Sequence, residues 1–201
     1  LLEITSTLFA MPLECVKRTD RRMKIAVAYD AAFNFVYREN IDRLKEWGEV
    51  SFFTPLKDKH LPEADWVYLP GGYPELFATR LQKNKQLMEE LKLYAESGGK
   101  IFAECGGMMF LTQSIVTDKG KEYPMCGVLP FKSTMEMHGE NWKGHEFHYS
   151  ELENPGDLPS IAKLRSAKGK EVDTPVYRYK NVIAGYTHWY WGEKDIFKLW
   201  E

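Results

Sequence analysis

A single cysteine stands where a short apolar strand turns into an apolar helix. Residues 100–111 read KIFAECGGMMFL, which puts Cys105 at the turn, Ala103 two residues before it and Gly107 two residues after it. A strand, a sharp turn and a helix in this order form a nucleophile elbow, here with a thiol in place of a hydroxyl. Backbone N–H groups and the dipole at the helix start favour a thiolate, so the sequence predicts a cysteine nucleophile. The alternative is a small apolar side chain buried at a strand–helix turn.

A nucleophilic cysteine needs a base, and the chain offers five histidines. His60 and His138 lie in polar loop sequences and are predicted to be solvated. His145 and His148 flank two residues of a strand-like run, where alternation argues against a shared metal. His188 follows an apolar strand and precedes three aromatic residues. We therefore predict His188 as the base, with a packed structural histidine as the alternative.

A second glycine-rich turn lies between a predicted strand and a predicted helix. Residues 69–75 read LPGGYPE, with adjacent Gly71 and Gly72. Adjacent glycines let the backbone approach a ligand and direct N–H groups at an anion. Together with the N–H of Gly106 they could form an oxyanion hole for acyl transfer. The alternative is a tight turn before a helix that begins at Pro74.

Composition narrows the possible partners. The chain has 201 residues, 44% of them hydrophobic, and a formal net charge of −2. This near balance of positive and negative charges argues against nucleic acid or a membrane surface as a partner. The three cysteines contain no CxxC pair, so we expect a reducing, cytoplasmic location. The sequence also lacks a phosphate-binding loop pattern, so we expect no ATP site. No other cofactor and no metal are expected in this segment.

Strands that alternate with helices must position these groups. Buried strands are predicted at Lys24–Tyr29, Val50–Phe53, Trp66–Leu69 and Lys100–Ala103. Helices are predicted at Phe33–Trp47 and Glu75–Ser97, and a further helix begins at Met108. Short aromatic-rich runs at Glu146–Ser150, Pro175–Tyr179 and Val182–Tyr186 are predicted as antiparallel edge strands. The predicted fold class is therefore α/β: three layers around a mostly parallel, doubly wound sheet with antiparallel edges.

Several runs of the sequence together resemble one family. These are AYDAAFNF at 28–35, YREN at 37–40, YLPGGYPE at 68–75, AECGG at 103–107 and GHEFHYS at 144–150. In this order they resemble the glutaminase domain of cobyrinate a,c-diamide synthases, a class I glutamine amidotransferase fold. The resemblance implies a glutaminase domain over residues 23–201. Residues 1–22 are then expected to be the tail of an N-terminal synthetase domain and its linker.

The resemblance also implies a mechanism. Cys105 would attack the side-chain amide of glutamine and form a glutamyl thioester, with His188 as the base. The oxyanion would bind the N–H groups of Gly72 and Gly106. Triad amidotransferases usually carry a glutamate two residues after the histidine, where this chain has Tyr190, so Glu146 becomes the candidate for the orienting carboxylate. Met109 stands where many relatives carry glutamine.

The implied partners are glutamine, the synthetase domain of the same chain and a corrinoid bound there, with ATP and Mg²⁺ also expected in that domain. A homodimer is left open. Three alternatives also stay open: the glutaminase part of a cobyric acid synthase, that of a nickel-sirohydrochlorin diamide synthase, and a domain that keeps the fold without activity. The run GGYPE at 71–75 favours the first assignment over cobyric acid synthase.

Overall fold

The computed structural model describes residues 22–135, 150–153, 158–162, 164–165, 171–172, 174–192 and 194–201. The strands are β1 (Met23–Ala28), β2 (Gly48–Phe53), β3 (Trp66–Leu69), β4 (Lys100–Glu104), β5 (Ser114–Val116), β6 (Glu122–Pro124), β7 (Lys132–Met135), β8 (Ser150–Glu153), β9 (Leu164–Arg165), β10 (Glu171–Val172), β11 (Val176–Tyr179) and β12 (Val182–Gly185). The helices are α1 (Arg38–Trp47), α2 (Ala78–Leu81), α3 (Lys85–Glu96) and α4 (Gly106–Leu111), with 3₁₀ segments at Pro74–Phe77 and Ile196–Trp200. Of the predicted N-terminal tail and linker, only Arg22 lies within this part of the chain.

A six-stranded sheet in the order β11-β12-β4-β3-β1-β2 forms the centre of the fold. All neighbouring strands from β2 to β12 are parallel, and β11 pairs antiparallel with β12 at one edge. The predicted α/β class with a mostly parallel sheet is therefore confirmed. The prediction that 182–186 is an antiparallel edge strand is wrong, because β12 lies inside the sheet, parallel to β4.

Successive residues of the central strands enter two different apolar clusters. Ile25 and Val27 of β1 pack on the side of α1, whereas Ala26 and Ala28 pack on the side of α3. This alternation is the period-two pattern of a strand covered on both faces. The molecule therefore has three layers, with the sheet in the middle. A smaller sheet in the order β6-β5-β7-β8 and the two-stranded pair β9–β10 are additions to this core.

The helix predicted over Phe33–Trp47 begins only at Arg38. The chain before it is tied to the end of β3, because the Phe35 N–H donates to the carbonyl oxygen of Gly71 at 3.0 Å. Phe33 and Phe35 lie in antiparallel β-bridges with Asp30 and Gly71, and the extended backbone of a β-bridge cannot be part of a helix. The difference matters, since it brings Phe35 to the carboxyl end of the sheet.

The long helix predicted over Glu75–Ser97 is broken into a 3₁₀ turn, α2 and α3. The last break lies at Asn84, whose side-chain amide donates to the carbonyl oxygens of Pro55 and Asp58 at 2.8 and 2.7 Å. Periodicity alone does not reveal this break, because tertiary hydrogen bonds override the local helical pattern.

Candidate active site

Cys105 occupies a strained position between β4 and α4. Its backbone has φ 45° and ψ −109°, a region that residues with a Cβ rarely adopt. Such a conformation costs about 1–3 kcal/mol and persists only where neighbours hold it. The Cys105 N–H donates to the carbonyl oxygen of Gly185 at 2.7 Å, and the Met109 N–H donates to the Cys105 carbonyl oxygen at 3.0 Å. The strand–turn–helix elbow predicted from the sequence is present.

The two glycines after Cys105 let β3 approach the elbow. A Cβ on Gly106 would lie 2.7 Å from the carbonyl oxygen of Gly72, and one on Gly107 would lie 2.0 Å from that of Leu69. Both clashes are with backbone atoms, which a side-chain rotation cannot relieve. The pair Gly106 and Gly107 is therefore required by the packing of two neighbouring strand ends.

Gly71 and Gly72 follow β3 after Pro70 and meet different neighbours. Gly72 has φ 156°, and a Cβ there would lie 2.0 Å from the carbonyl oxygen of Ala32. A Cβ on Gly71 would instead lie 2.0 Å from Cε1 of His188. The imidazole of His188 therefore lies directly against the backbone of Gly71.

His188 reaches this position because β12 is the parallel neighbour of β4. Gly185 at the end of β12 pairs with Glu104 at the end of β4, so the next residues of both strands leave the sheet at the same edge. Cys105 and His188 lie one and three residues beyond this pair. The imidazole also contacts the ring of Phe35, with centroids 4.1 Å apart.

One cavity of about 200 Å³ contains both chemical groups. Its lining residues are Phe35, Gly72, Tyr73, Cys105 and His188. Pockets for drug-sized ligands usually measure about 300–1,000 Å³, so this cavity suits a small substrate. The structure thus brings together the predicted nucleophile, the predicted base and one of the predicted oxyanion glycines.

The acidity of Cys105 differs from the sequence prediction. Burial raises the pKa of its thiol to about 12, and the negative charges of Glu75 and Glu104 act in the same direction. Backbone hydrogen bonds from Gly106 and Gly72 lower the pKa, but by less. Burial therefore outweighs the predicted effect of the amides at the helix start, and the thiol form is favoured over the thiolate. A thiol of this kind needs a base when it attacks.

Glu104 is a buried acid that the sequence analysis did not single out. Its side chain is 1% exposed, Tyr68 donates its hydroxyl to Oε2 at 2.7 Å, and the Trp189 N–H donates to Oε1 at 3.0 Å. Burial raises the pKa of this carboxyl to about 8. A charged residue type inside the small and apolar run of residues 101–111 is the signal that could have revealed it.

The remaining predicted residues lie elsewhere or outside the described residues. His60 is exposed and contacts Glu90 on α3 at 2.8 Å, in agreement with the predicted solvated position. Tyr190, two residues after His188, is 62% exposed. Cys126 is buried, and burial raises the pKa of its thiol. The candidate orienting carboxylate Glu146 lies outside the described residues, as do Cys15, His138, His145 and His148.

Within the described residues, no three His, Cys, Asp or Glu side chains form a group that could hold a metal ion. No helix there is long and apolar enough to cross a membrane.

Comparisons with known proteins agree with the family resemblance. The profile of the CobB/CobQ-like glutamine amidotransferase domain matches residues 24–196. The cobyrinate a,c-diamide synthase of Leptospira interrogans is 35% identical, over 95% of this chain and 48% of its own length. That of Picrophilus torridus is 39% identical, over 87% of this chain and 42% of its own length. The chain thus spans about half the length of the curated relatives that it matches.

A solved structure described as a glutamine amidotransferase has the same fold. It superposes with a TM-score of 0.50 at 20% sequence identity and covers 82% of this chain and 89% of its own. At this identity the likeness concerns the fold alone.

Proposed function

The chain belongs to the CobB/CobQ-like glutamine amidotransferase family, and on that premise we propose that it hydrolyses glutamine with Cys105 as nucleophile and His188 as base. The observation that carries this proposal is that both side chains line one small cavity at adjacent parallel strand ends. A cavity of this size holds an amino acid and presents a thiol to its side chain.

The proton of the thiol decides the first step. Because burial raises the pKa of Cys105 to about 12, a free thiolate is scarce near pH 7. His188 accepts the Sγ proton as sulfur attacks the amide carbon of glutamine. The tetrahedral intermediate then collapses, and the imidazolium returns the proton to the leaving nitrogen. Ammonia departs and leaves a glutamyl thioester on Cys105.

The oxyanion of that intermediate needs donors beside the sulfur. Backbone hydrogen bonds from Gly106 and Gly72 act on the thiol and lower its pKa, which indicates that these amides are directed toward Sγ. Amides directed at this position can also donate hydrogen bonds to the carbonyl oxygen of the substrate as it becomes negative. In the second half-reaction, water, deprotonated by His188, attacks the thioester. Glutamate is released and the thiol is restored.

We test this proposal by ammonia release from glutamine. The wild-type chain is compared with Cys105→Ser and His188→Asn, and with Cys126→Ser as a matched cysteine control. We expect the first two variants to lose at least about 100-fold in kcat and the control to keep wild-type turnover. Full turnover in Cys105→Ser would overturn the proposed nucleophile, and full turnover in His188→Asn the proposed base.

We further propose that the ammonia serves the longer enzyme of which this domain is a part, as in relatives named cobyrinate a,c-diamide synthase. Residues 1–22 would then be the tail and linker of its synthetase domain. That domain would bind a corrinoid together with ATP and Mg²⁺. ATP is needed because a carboxylate must be activated before ammonia attacks it. We expect no ATP binding to the 201-residue chain by calorimetry. Amide formation on cobyrinate by this chain alone would contradict this division of roles.

A further inference from the structure

Two buried polar side chains hold the backbone that immediately follows His188. Glu104 accepts the Trp189 N–H at 3.0 Å. Asn40 donates its side-chain amide to the Trp189 carbonyl oxygen at 2.6 Å, and its Oδ1 accepts the Trp191 N–H at 3.1 Å. Three hydrogen bonds from two side chains thus converge on a segment of three residues.

Both side chains are far from solvent. Asn40 on α1 is 0% exposed and Glu104 at the end of β4 is 1% exposed. Burying such a group without partners costs about 1–3 kcal/mol, and more for a carboxyl, so each must be satisfied by specific geometry. Here the partners that satisfy them are backbone groups of one irregular segment. Its position is therefore fixed relative to α1 and β4.

Glu104 also connects this segment to the nucleophile. It precedes Cys105 in the chain, and its second carboxyl oxygen accepts the hydroxyl of Tyr68 on β3. One side chain thereby ties the elbow, the neighbouring strand and the segment after His188 together. The connection from Glu104 to His188 runs through the backbone of Trp189, the next residue in the chain.

We propose that Glu104 and Asn40 are positioning residues that fix the segment Trp189–Trp191 and thereby hold His188 at Cys105. This inference rests on the proposed role of His188 as the base. The two side chains take the place of the orienting carboxylate that triad amidotransferases usually carry two residues after the histidine. In this chain that position holds the exposed Tyr190. A displacement of about 1 Å in a catalytic group can cost about 100-fold in rate.

The test uses the rate at which a diazo ketone analogue of glutamine modifies Cys105, followed by intact mass. Glu104→Leu removes the acceptor, and Asn40→Ala removes the donor and the other acceptor. We expect each to lower this rate, and kcat for glutamine, by about 100-fold while KM changes little. Glu104→Gln keeps an acceptor for the Trp189 N–H and a donor toward Tyr68, so we expect it to restore most of the rate at pH 7.

Two control variants, one at a buried asparagine and one at a glutamate that binds a tyrosine hydroxyl, separate positioning from general destabilisation. Asn84 is a buried asparagine (4% exposed) that also donates to two backbone carbonyl oxygens, but at the loop of residues 55–58. Glu96 accepts a tyrosine hydroxyl, that of Tyr179 at 2.9 Å, as Glu104 accepts that of Tyr68. In Asn84→Ala and Glu96→Leu, we expect the diazo ketone to modify Cys105 at the wild-type rate, at temperatures where these variants are folded.

A double-mutant cycle gives the decisive result. If Glu104 acts through His188, then Glu104→Leu in a His188→Asn background causes no further loss of rate. A further loss as large as that in the wild-type background would overturn the inference, because the role would then be structural. Wild-type rates in both Glu104→Leu and Asn40→Ala would overturn it as well, with the proposed function intact. A wild-type rate in His188→Asn would instead overturn the proposed base. The Asn40→Ala variant supplies the same cycle if Glu104→Leu does not fold.

Discussion

The imidazole of His188 lies against Gly71 so closely that a Cβ on Gly71 would stand 2.0 Å from Cε1 of the ring. Phe35 contacts the ring as well, with centroids 4.1 Å apart. The glycine-rich turn after β3 thus does more than direct amides at a substrate. It also provides the surface against which the proposed base packs.

Gly71→Ala should lower activity and leave stability nearly unchanged. The added methyl meets the end of a side chain that can rotate, so the ring moves away while the backbone stays in place. A displaced base costs about 100-fold in kcat. Glutamine turnover and the thermal unfolding midpoint are measured together. Wild-type turnover in this variant would show that the contact between Gly71 and His188 does not position the base.

Gly72→Ala, one residue later, should instead lower the stability of the fold. Its methyl would lie 2.0 Å from the backbone oxygen of Ala32, and the position has φ 156°, which disfavours any side chain. We expect a loss of about 3 kcal/mol in the free energy of unfolding. Denaturant titration of the two glycine variants tests the contrast directly. Equal stability of both variants would show that the clash at Gly72 is relieved by a local shift.

The stability of the protein should fall with rising pH because of Glu104. Burial raises the pKa of this carboxyl from an ordinary 4.5 to about 8. Between these values the folded state binds a proton that the unfolded chain has released, so stability present below pH 4.5 is lost as the pH rises through about 8. Glu104→Gln has no proton to lose. Relative to wild type, it should gain more than about 1 kcal/mol between pH 5 and pH 8.5.

Glu96→Gln is the control for this titration. Lys180 and Tyr179 lower the pKa of Glu96, so that carboxyl stays ionised across the range. The difference in unfolding free energy between this variant and wild type should therefore not change with pH. A pH-independent difference for Glu104→Gln as well would mean that Glu104 titrates normally in the folded protein.

Local patterns in the sequence were sufficient to predict the elbow and most strands of the sheet. The bounds of β3 agree with the prediction residue for residue, because four apolar residues end at a proline and two glycines. Cys105 and His188 were predicted as a pair, and the structure brings them to one cavity, although their catalytic roles stay predictions.

The remaining features depend on contacts between distant parts of the chain. The parallel pairing of β12 with β4 cannot be derived from the four residues of β12. The buried position of Glu104 depends on Tyr68 and Trp189, which are 36 and 85 residues away in sequence. Likewise, the raised pKa of Cys105 follows from burial, whereas the position at a helix start alone suggested a lowered pKa.

The most direct measurement maps the site that a glutamine-mimicking electrophile modifies. The wild-type chain is treated with the diazo ketone analogue of glutamine, digested and analysed by peptide mass spectrometry, with excess glutamine as a protecting competitor. We predict one adduct, on Cys105, that glutamine suppresses and that is absent in Cys105→Ser, with Cys15 and Cys126 unmodified. An adduct on Cys126 with Cys105 untouched would contradict the proposal that Cys105 is the nucleophile of a glutaminase.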